Sequence, residues 1–246
     1  MTQRVPDRLR AKPVPIASPV RRSGLGKGSQ SSLPGHLVSR AFFKAPAEEV
    51  APRLLGKILA HRTRHGILAG RIVEVEAYLG PHNQPPDPAA HSYRGPTPRS
   101  RILFGPPGHA YIYTIYGRYF CMNVTCEVEG LAGCVLVRAL QPLMGLERMA
   151  RNRDIPLESK ARQLTSGPSR LCQALALNRL RHNGLDLLNP HSALQLRDDG
   201  FPVCEVLITA RIGIHVAIDW PLRFVIPDHE CLSGRKSLTG QSIVLG

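Results

Sequence analysis

The sequence predicts a mixed α+β fold, a single domain with a mainly antiparallel β-sheet flanked by helices. Three observations carry that prediction. Strand-like segments outnumber helical ones, few connections are long enough for the crossover that parallel pairing needs, and the helical segments fall between groups of strands instead of alternating with them. A length of 246 residues suits one domain with a tail, and 43% hydrophobic residues is ordinary for a protein with a core.

Residues 1–36 read as a disordered basic tail, rich in Pro, Ser, Gly and Arg and without apolar periodicity. A domain over 37–235 and a short C-terminal tail over 236–246 complete the expected organisation. Residues 37–56 read as helical, with Pro46 in the first turn, Val50, Leu54 and Leu55 on one face and Gly56 as the stop. "GKILAHRTRHGILAGRIVEVEAYLG" then reads as two strands joined through Arg64-His65-Gly66. After a proline-rich loop over 81–99 comes a three-stranded meander, at about 109–115, 119–126 and 133–140, turning at Tyr116-Gly117-Arg118 and Glu129-Gly130. Helices are expected over 142–153, with Leu143, Leu146 and Met149 inward, and over 168–178 behind Pro168; strands return at about 203–226.

The formal charge is +14, with 32 Lys and Arg against 18 Asp and Glu, and such an excess points to a polyanionic partner. Half of it lies in residues 1–40, where eight basic residues face one acid, Asp7; that arm is expected to attract phosphate without chemistry. No apolar run resembles a signal peptide or a membrane span, so an intracellular protein without a membrane partner is expected. Cysteines 121, 126, 134, 172, 204 and 231 form no CxxC pair and have no histidine at zinc spacing; they read as free thiols packed as small apolar residues. "GLGKGS" at 24–29 has no strand before it and reads as linker, and His61 and His65 share a hairpin without an acidic third ligand.

Two groups could carry chemistry. Alternation along the strand puts Ile72, Glu74, Glu76 and Tyr78 on one face, which is either a solvated face with two acids or a catalytic wall beside an aromatic ring. All six tyrosines fall between Tyr78 and Tyr119. Tyrosine is costly to bury without a partner for its hydroxyl, so the cluster suggests rings kept for stacking, although Tyr111 and Tyr113 could equally be packing. Tyr116 at a hairpin tip is placed as a wedge that enters a nucleic-acid duplex. Asn123 and Arg138 interrupt apolar strands and must either close a polar network or line a pocket.

"RIVEVEAYLG", "DPAAHSYRGPTPRS", "FGPPGHAYIYTIYG", "YFCMNV", "GCVLVRALQP", "TSGPSRLCQALAL", "ARIGI" and "PLRFVI" occur in that order over roughly residues 38–230, and together they resemble the alkyladenine (3-methyladenine) DNA glycosylase family. The resemblance implies a curved sheet and a base-excision-repair enzyme acting on double-stranded DNA that contains damaged purines. Water would be co-substrate, with neither cofactor nor metal. It implies Glu76 as the general base with Arg138 beside it, and Tyr78, His91 and Tyr113 as walls around a flipped base. Asn123 would disfavour guanine, Tyr116 would fill the gap in the duplex, and Arg118 and Tyr119 would lie against DNA. Attack by water and the absence of an obvious Schiff-base lysine imply an abasic product without strand cleavage. A monomer is expected, in the cytoplasm or nucleoid of a bacterium or the nucleus of a eukaryote.

Two departures from the family pattern stand out: "PHNQPP" lengthens the loop before His91, and Arg118 replaces a common Met. Two rival functions remain at this level. One is an O-glycosidase using Glu74 and Glu76, whose Cβ atoms on one strand face are roughly 7 Å apart. The other is a DNA-bending protein without catalysis.

Overall fold

The computed structural model describes residues 32–234 and 238–244; the basic N-terminal stretch, including Gly24–Ser29, lies outside them. In chain order the strands are β1 (His36–Leu37), β2 (Ile58–Thr63), β3 (Gly66–Tyr78), β4 (Ala110–Ile115), β5 (Tyr119–Cys126), β6 (Gly133–Met144), β7 (Leu194–Asp198), β8 (Glu205–Thr209), β9 (Arg223–Val225) and β10 (Gln241–Val244). The α-helices are α1 (Ala47–Leu54), α2 (Leu146–Arg153), α3 (Ala161–Thr165), α4 (Pro168–Ala174) and α5 (Arg179–His182). Every strand pairing among the described residues is antiparallel, as expected.

The sheet runs β1-β7-β2-β3-β6-β5-β4 and forks at β3. One edge of β3 is lined by β6 from Ala69 to Tyr78. Along its other edge, the first half pairs with β2 up to Arg71 and the second half, Glu74 to Glu76, pairs with β9. The register against β6 shifts between Ile72 and Glu74, where an extra residue twists the strand and re-aims its side chains. The simple alternation expected for this strand is therefore broken. Ile72 packs in the main core with Val75 and Ala77, while Val73 joins a separate cluster with Ala139, Val225, Cys231 and Leu232.

The first helix is shorter than expected. A two-residue strand and a 3-10 turn over Arg40–Phe43 precede α1, whose N-cap is Pro46; Glu48 and Glu49 in its first turn complement the helix dipole. Val50, Ala51 and Leu54 bury its inner face in the core, and Pro52 is accommodated near the helix end. The helix expected from residue 142 starts at Leu146, because β6 continues to Met144 opposite Ala69. Pro142, which has no N–H for the ladder, sits at a register shift opposite Gly70. Gly145 then turns the corner at φ 77°, with Leu68 and the Ile67 carbonyl too close for a Cβ. Leu143 consequently packs from the strand, Leu146 is exposed, and only Met149 is buried as expected.

The second expected helix ends earlier, at Ala174, and α3, α5 and β7 had no counterpart in the sequence reading. Gln241–Val244, inside the segment read as a C-terminal tail, pairs with β8. Five cysteines are buried free thiols; Cys204 is an exposed one. His61 is buried against His182, with facing Nε2 atoms 3.2 Å apart, and closes a structural contact between β2 and α5.

Candidate active site

The meander is present as expected: β4 pairs with β5, and β5 with β6. Tyr116 (φ 49°) and Gly117 (φ 71°) both adopt left-handed backbone in the three-residue loop Tyr116-Gly117-Arg118 that joins Ile115 of β4 to its partner Tyr119 of β5. The Tyr116 side chain consequently projects into solvent and the residue is 88% exposed.

Below the tip lies a cavity of about 370 Å³, within the size range of small-ligand sites. Tyr78, His91, Tyr113, Tyr116, Asn123 and Arg138 all line it, so six of the nine candidate residues share one concavity. Tyr119 is half-buried and Arg118 exposed on the hairpin, with the Arg118 guanidinium 4.7 Å from the Tyr119 ring. If Arg118 contacts a phosphate, Arg118→Met lowers the steepness of the salt dependence of duplex binding by about one unit of log K against log salt, which titration at several ionic strengths measures.

Glu76 stands behind the cavity wall. The residue is fully buried, and three groups converge on its carboxylate: the Tyr78 hydroxyl donates to Oε2 at 3.0 Å, the Ile212 backbone N–H to Oε1 at 2.7 Å, and Arg138 Nη1 lies 3.1 Å from Oε1. Tyr78, Arg138 and Ile212 are themselves wall residues, so all three partners of the Glu76 carboxylate also line the cavity. Burial opposes the charge of Arg138, but Glu76 and Glu74 outweigh it and raise its pKa. Burial, reinforced by Glu76, also raises the Tyr78 pKa and keeps the phenol a donor.

Glu74 is equally buried but turned away from this role. Oε1 accepts from Arg138 Nε (3.0 Å), Arg223 Nε (2.8 Å) and the Ser233 hydroxyl (2.7 Å), and Oε2 from the Ser233 N–H (2.6 Å). The solvated-face reading of Glu74 and Glu76 is thereby excluded. A carboxylate enclosed in this way, and outside the cavity wall, does not reach a sugar, which removes the main support for an O-glycosidase. Arg138 bridges the two acids, so Glu74, itself held by Arg223 and Ser233, fixes the guanidinium that in turn touches Glu76.

The other wall is built from rings. The His91 ring lies 4.5 Å from that of Tyr113 at 79°, and Tyr111 lies 5.5 Å from Tyr113. Arg99 Nη2 is 3.3 Å from His91 Nε2, and since a guanidinium only donates, Nε2 accepts; His91 Nδ1 then carries the proton and donates to the Tyr111 hydroxyl at 2.8 Å. Loss of water around the ring, together with Arg99, lowers the His91 pKa to about 4. Asn123 is buried, donating from Nδ2 to the Tyr111 carbonyl (3.2 Å) and accepting at Oδ1 from the Cys134 thiol (3.7 Å).

A buried ion pair anchors the loop that carries His91. Asp87, just after "PHNQPP", takes Arg211 in two contacts of 2.5 and 2.9 Å, both side chains being fully buried, and accepts the backbone N–H groups of Leu79 and Ala89. Arg211 also lies 4.7 Å from the Tyr78 ring. Sequence reasoning missed this clamp, as it missed Arg99, Tyr111 as a partner of His91, Cys121, Cys134 and the Ile212–Ile214 segment in the cavity wall. The tyrosine alternation was a signal for Tyr111; for Asp87 and Arg211, far apart along the chain, there was none.

An aromatic cavity with a hydrogen-bonded carboxylate behind it, below an exposed tyrosine, suits an enzyme that handles one planar group taken from a polymer. Residues 41–230 match the model of the methylpurine-DNA glycosylase family. The chain is 50% identical over 199 residues to a protein of Koribacter versatilis named "Putative 3-methyladenine DNA glycosylase", covering 81% of this chain and 94% of that protein. Proteins with the same name from Burkholderia lata (46% over 202 residues; 82% and 93% covered) and Alkaliphilus oremlandii (43% over 205; 80% and 98%) are similar to it as well. The class is that of the DNA glycosylases, hydrolases of N-glycosyl bonds that act on DNA in base-excision repair. Within it, the chain belongs to the methylpurine-DNA glycosylase family.

Proposed function

We propose that the protein flips alkylated or deaminated purines out of duplex DNA and hydrolyses their N-glycosidic bond, leaving an abasic site without cutting the strand. The observation that carries this reading is the convergence of Tyr78, Arg138 and the Ile212 N–H on buried Glu76, directly behind an aromatic cavity.

A base must leave the stack before its glycosidic bond can be reached. Tyr116 enters the space it vacates, while Tyr78, His91 and Tyr113 receive its faces. A purine methylated at N3 or N7 is cationic, and each favourable aromatic contact with a cation is worth about 0.5–2 kcal/mol. Glu76 takes the proton from a water molecule, which adds to the anomeric carbon through an oxocarbenium-like state as the base departs with the glycosidic electron pair. Arg138 holds the carboxylate in place and faces the cavity, next to the path of that water. Asn123, fixed at both ends of its amide, discriminates against guanine. No lysine lines the cavity among the described residues, which favours water over an amine as nucleophile. The basic excess of residues 1–40 adds attraction for phosphate, and one chain suffices for one lesion.

Incubation with duplex oligonucleotides carrying a single hypoxanthine, ethenoadenine or 7-methylguanine, followed by alkaline cleavage, tests this. Release of base with an intact strand before alkali supports it, whereas cleavage before alkali or survival of all three lesions refutes it. Tyr116→Ala separates the wedge from the chemistry. Because the side chain is exposed, the melting temperature stays within about 2 °C of wild type, while excision from duplex falls at least about tenfold more than excision from single strands.

A further inference from the structure

Arg99 has no role in the reaction described above, yet its guanidinium sits at the aromatic wall. It lies 5.2 Å from the centroid of the Tyr113 ring, contacts His91 Nε2 at 3.3 Å and lines the cavity, although the residue itself is exposed at the mouth. An arginine over a tyrosine ring uses the same negative face that would attract a cationic base. The free protein thus carries a cation of its own at the place where the proposed substrate's charge is to be received. Being planar and a donor only, that cation also occupies the acceptor nitrogen of His91.

We infer that Arg99 is a specificity-determining residue, an internal cation that competes with positively charged bases for the aromatic site and so raises the relative preference for neutral ones. The inference rests on the glycosylase reading. A cationic base entering beside Tyr113 meets either the Arg99 charge or the cost of swinging it out. A neutral base meets no such repulsion. A further contact from Arg99 to a phosphate would help both substrates alike and cancel in their ratio.

The test compares single-turnover excision of 7-methylguanine, corrected for spontaneous loss, with excision of hypoxanthine for wild type, Arg99→Gln and Arg99→Lys. The ratio of the two rates is expected to move about tenfold toward 7-methylguanine in Arg99→Gln, the scale of removing one unit charge at this separation in a partly screened site. Arg99→Lys, which keeps the charge, is expected to stay near wild type. Equal changes on both substrates in Arg99→Gln would overturn the inference and leave only a phosphate contact. A second readout needs no catalysis. The His91 ring, titrated by NMR, is expected to take its proton at higher pH in Arg99→Gln, and an unmoved titration would show that the guanidinium does not hold that nitrogen. Excision of neither base by wild type would instead overturn the glycosylase reading, and the specificity claim with it.

Discussion

Replacing Glu76 with Gln lowers base excision by about 10²–10⁴-fold, the usual contribution of a positioned general base, while lesion-containing duplex is still bound. The amide keeps the volume and one acceptor, so Arg138 and the Ile212 N–H retain a partner at one oxygen. It cannot take a proton from water. The amide nitrogen also faces the Tyr78 hydroxyl, which must reorient to accept, so a loss of about 1–3 kcal/mol of stability accompanies the change. Single-turnover rates and a binding isotherm on the same duplex, with a melting curve as control, read the three effects separately. A variant that excises at wild-type rate would move the base role to another group.

Substitution of Asp87 by Ala costs about 3–5 kcal/mol of folding stability, because the Arg211 guanidinium is left buried without its counter-charge. Two backbone donors, Leu79 and Ala89, lose their acceptor in the same step. The midpoint of urea unfolding measures the loss, and Asp87→Asn, which keeps an acceptor for one of them, is expected to fall between Ala and wild type. The functional effect follows the chain: Asp87 fixes the segment that carries His91, and Arg211 lies against the Tyr78 ring, so both sides of the cavity loosen together. Excision measured well below the melting temperature of the variant is therefore expected to drop by more than tenfold, since a displacement of about 1 Å in a positioning group can cost 10²-fold. An unchanged midpoint would show that water reaches the pair and solvates it.

What could be read in advance and what could not divide along the range of the interactions. The two hairpins, at Arg64-His65 and Tyr116-Gly117, are local, and so is the alternation that put Glu76 and Tyr78 side by side; these were legible. The inward fate of Glu74 was not, because it depends on Arg223 and Ser233, which reach it only once β9 has paired with β3. The register shift after Ile72 answers the fork in the sheet and leaves no mark in the pattern of apolar residues. The helix placed too early at residue 142 shows the same limit from the other side. Leu143, Leu146 and Met149 have helical spacing, but partners on β3 keep the first of them in a strand. Membership of the cavity was legible where the resemblance assigned a role, as for His91, and illegible for Arg99, which lies in the same block but whose place is set by its contacts with the Tyr113 ring and the His91 imidazole.

The backbone at the hairpin tip has a cost in the free protein. Left-handed positions in a turn are ordinarily filled by Gly, Asn or Asp, yet here a bulky aromatic holds the first place of the loop at φ 49°, almost wholly in water. The free protein gains no burial from that ring and carries roughly 1 kcal/mol or more of backbone strain to display it. Glycine or asparagine at position 116 would make a more comfortable turn. Thermal robustness alone would not favour a tyrosine at this position, and the strained, solvated ring accords with the duplex contact proposed for it.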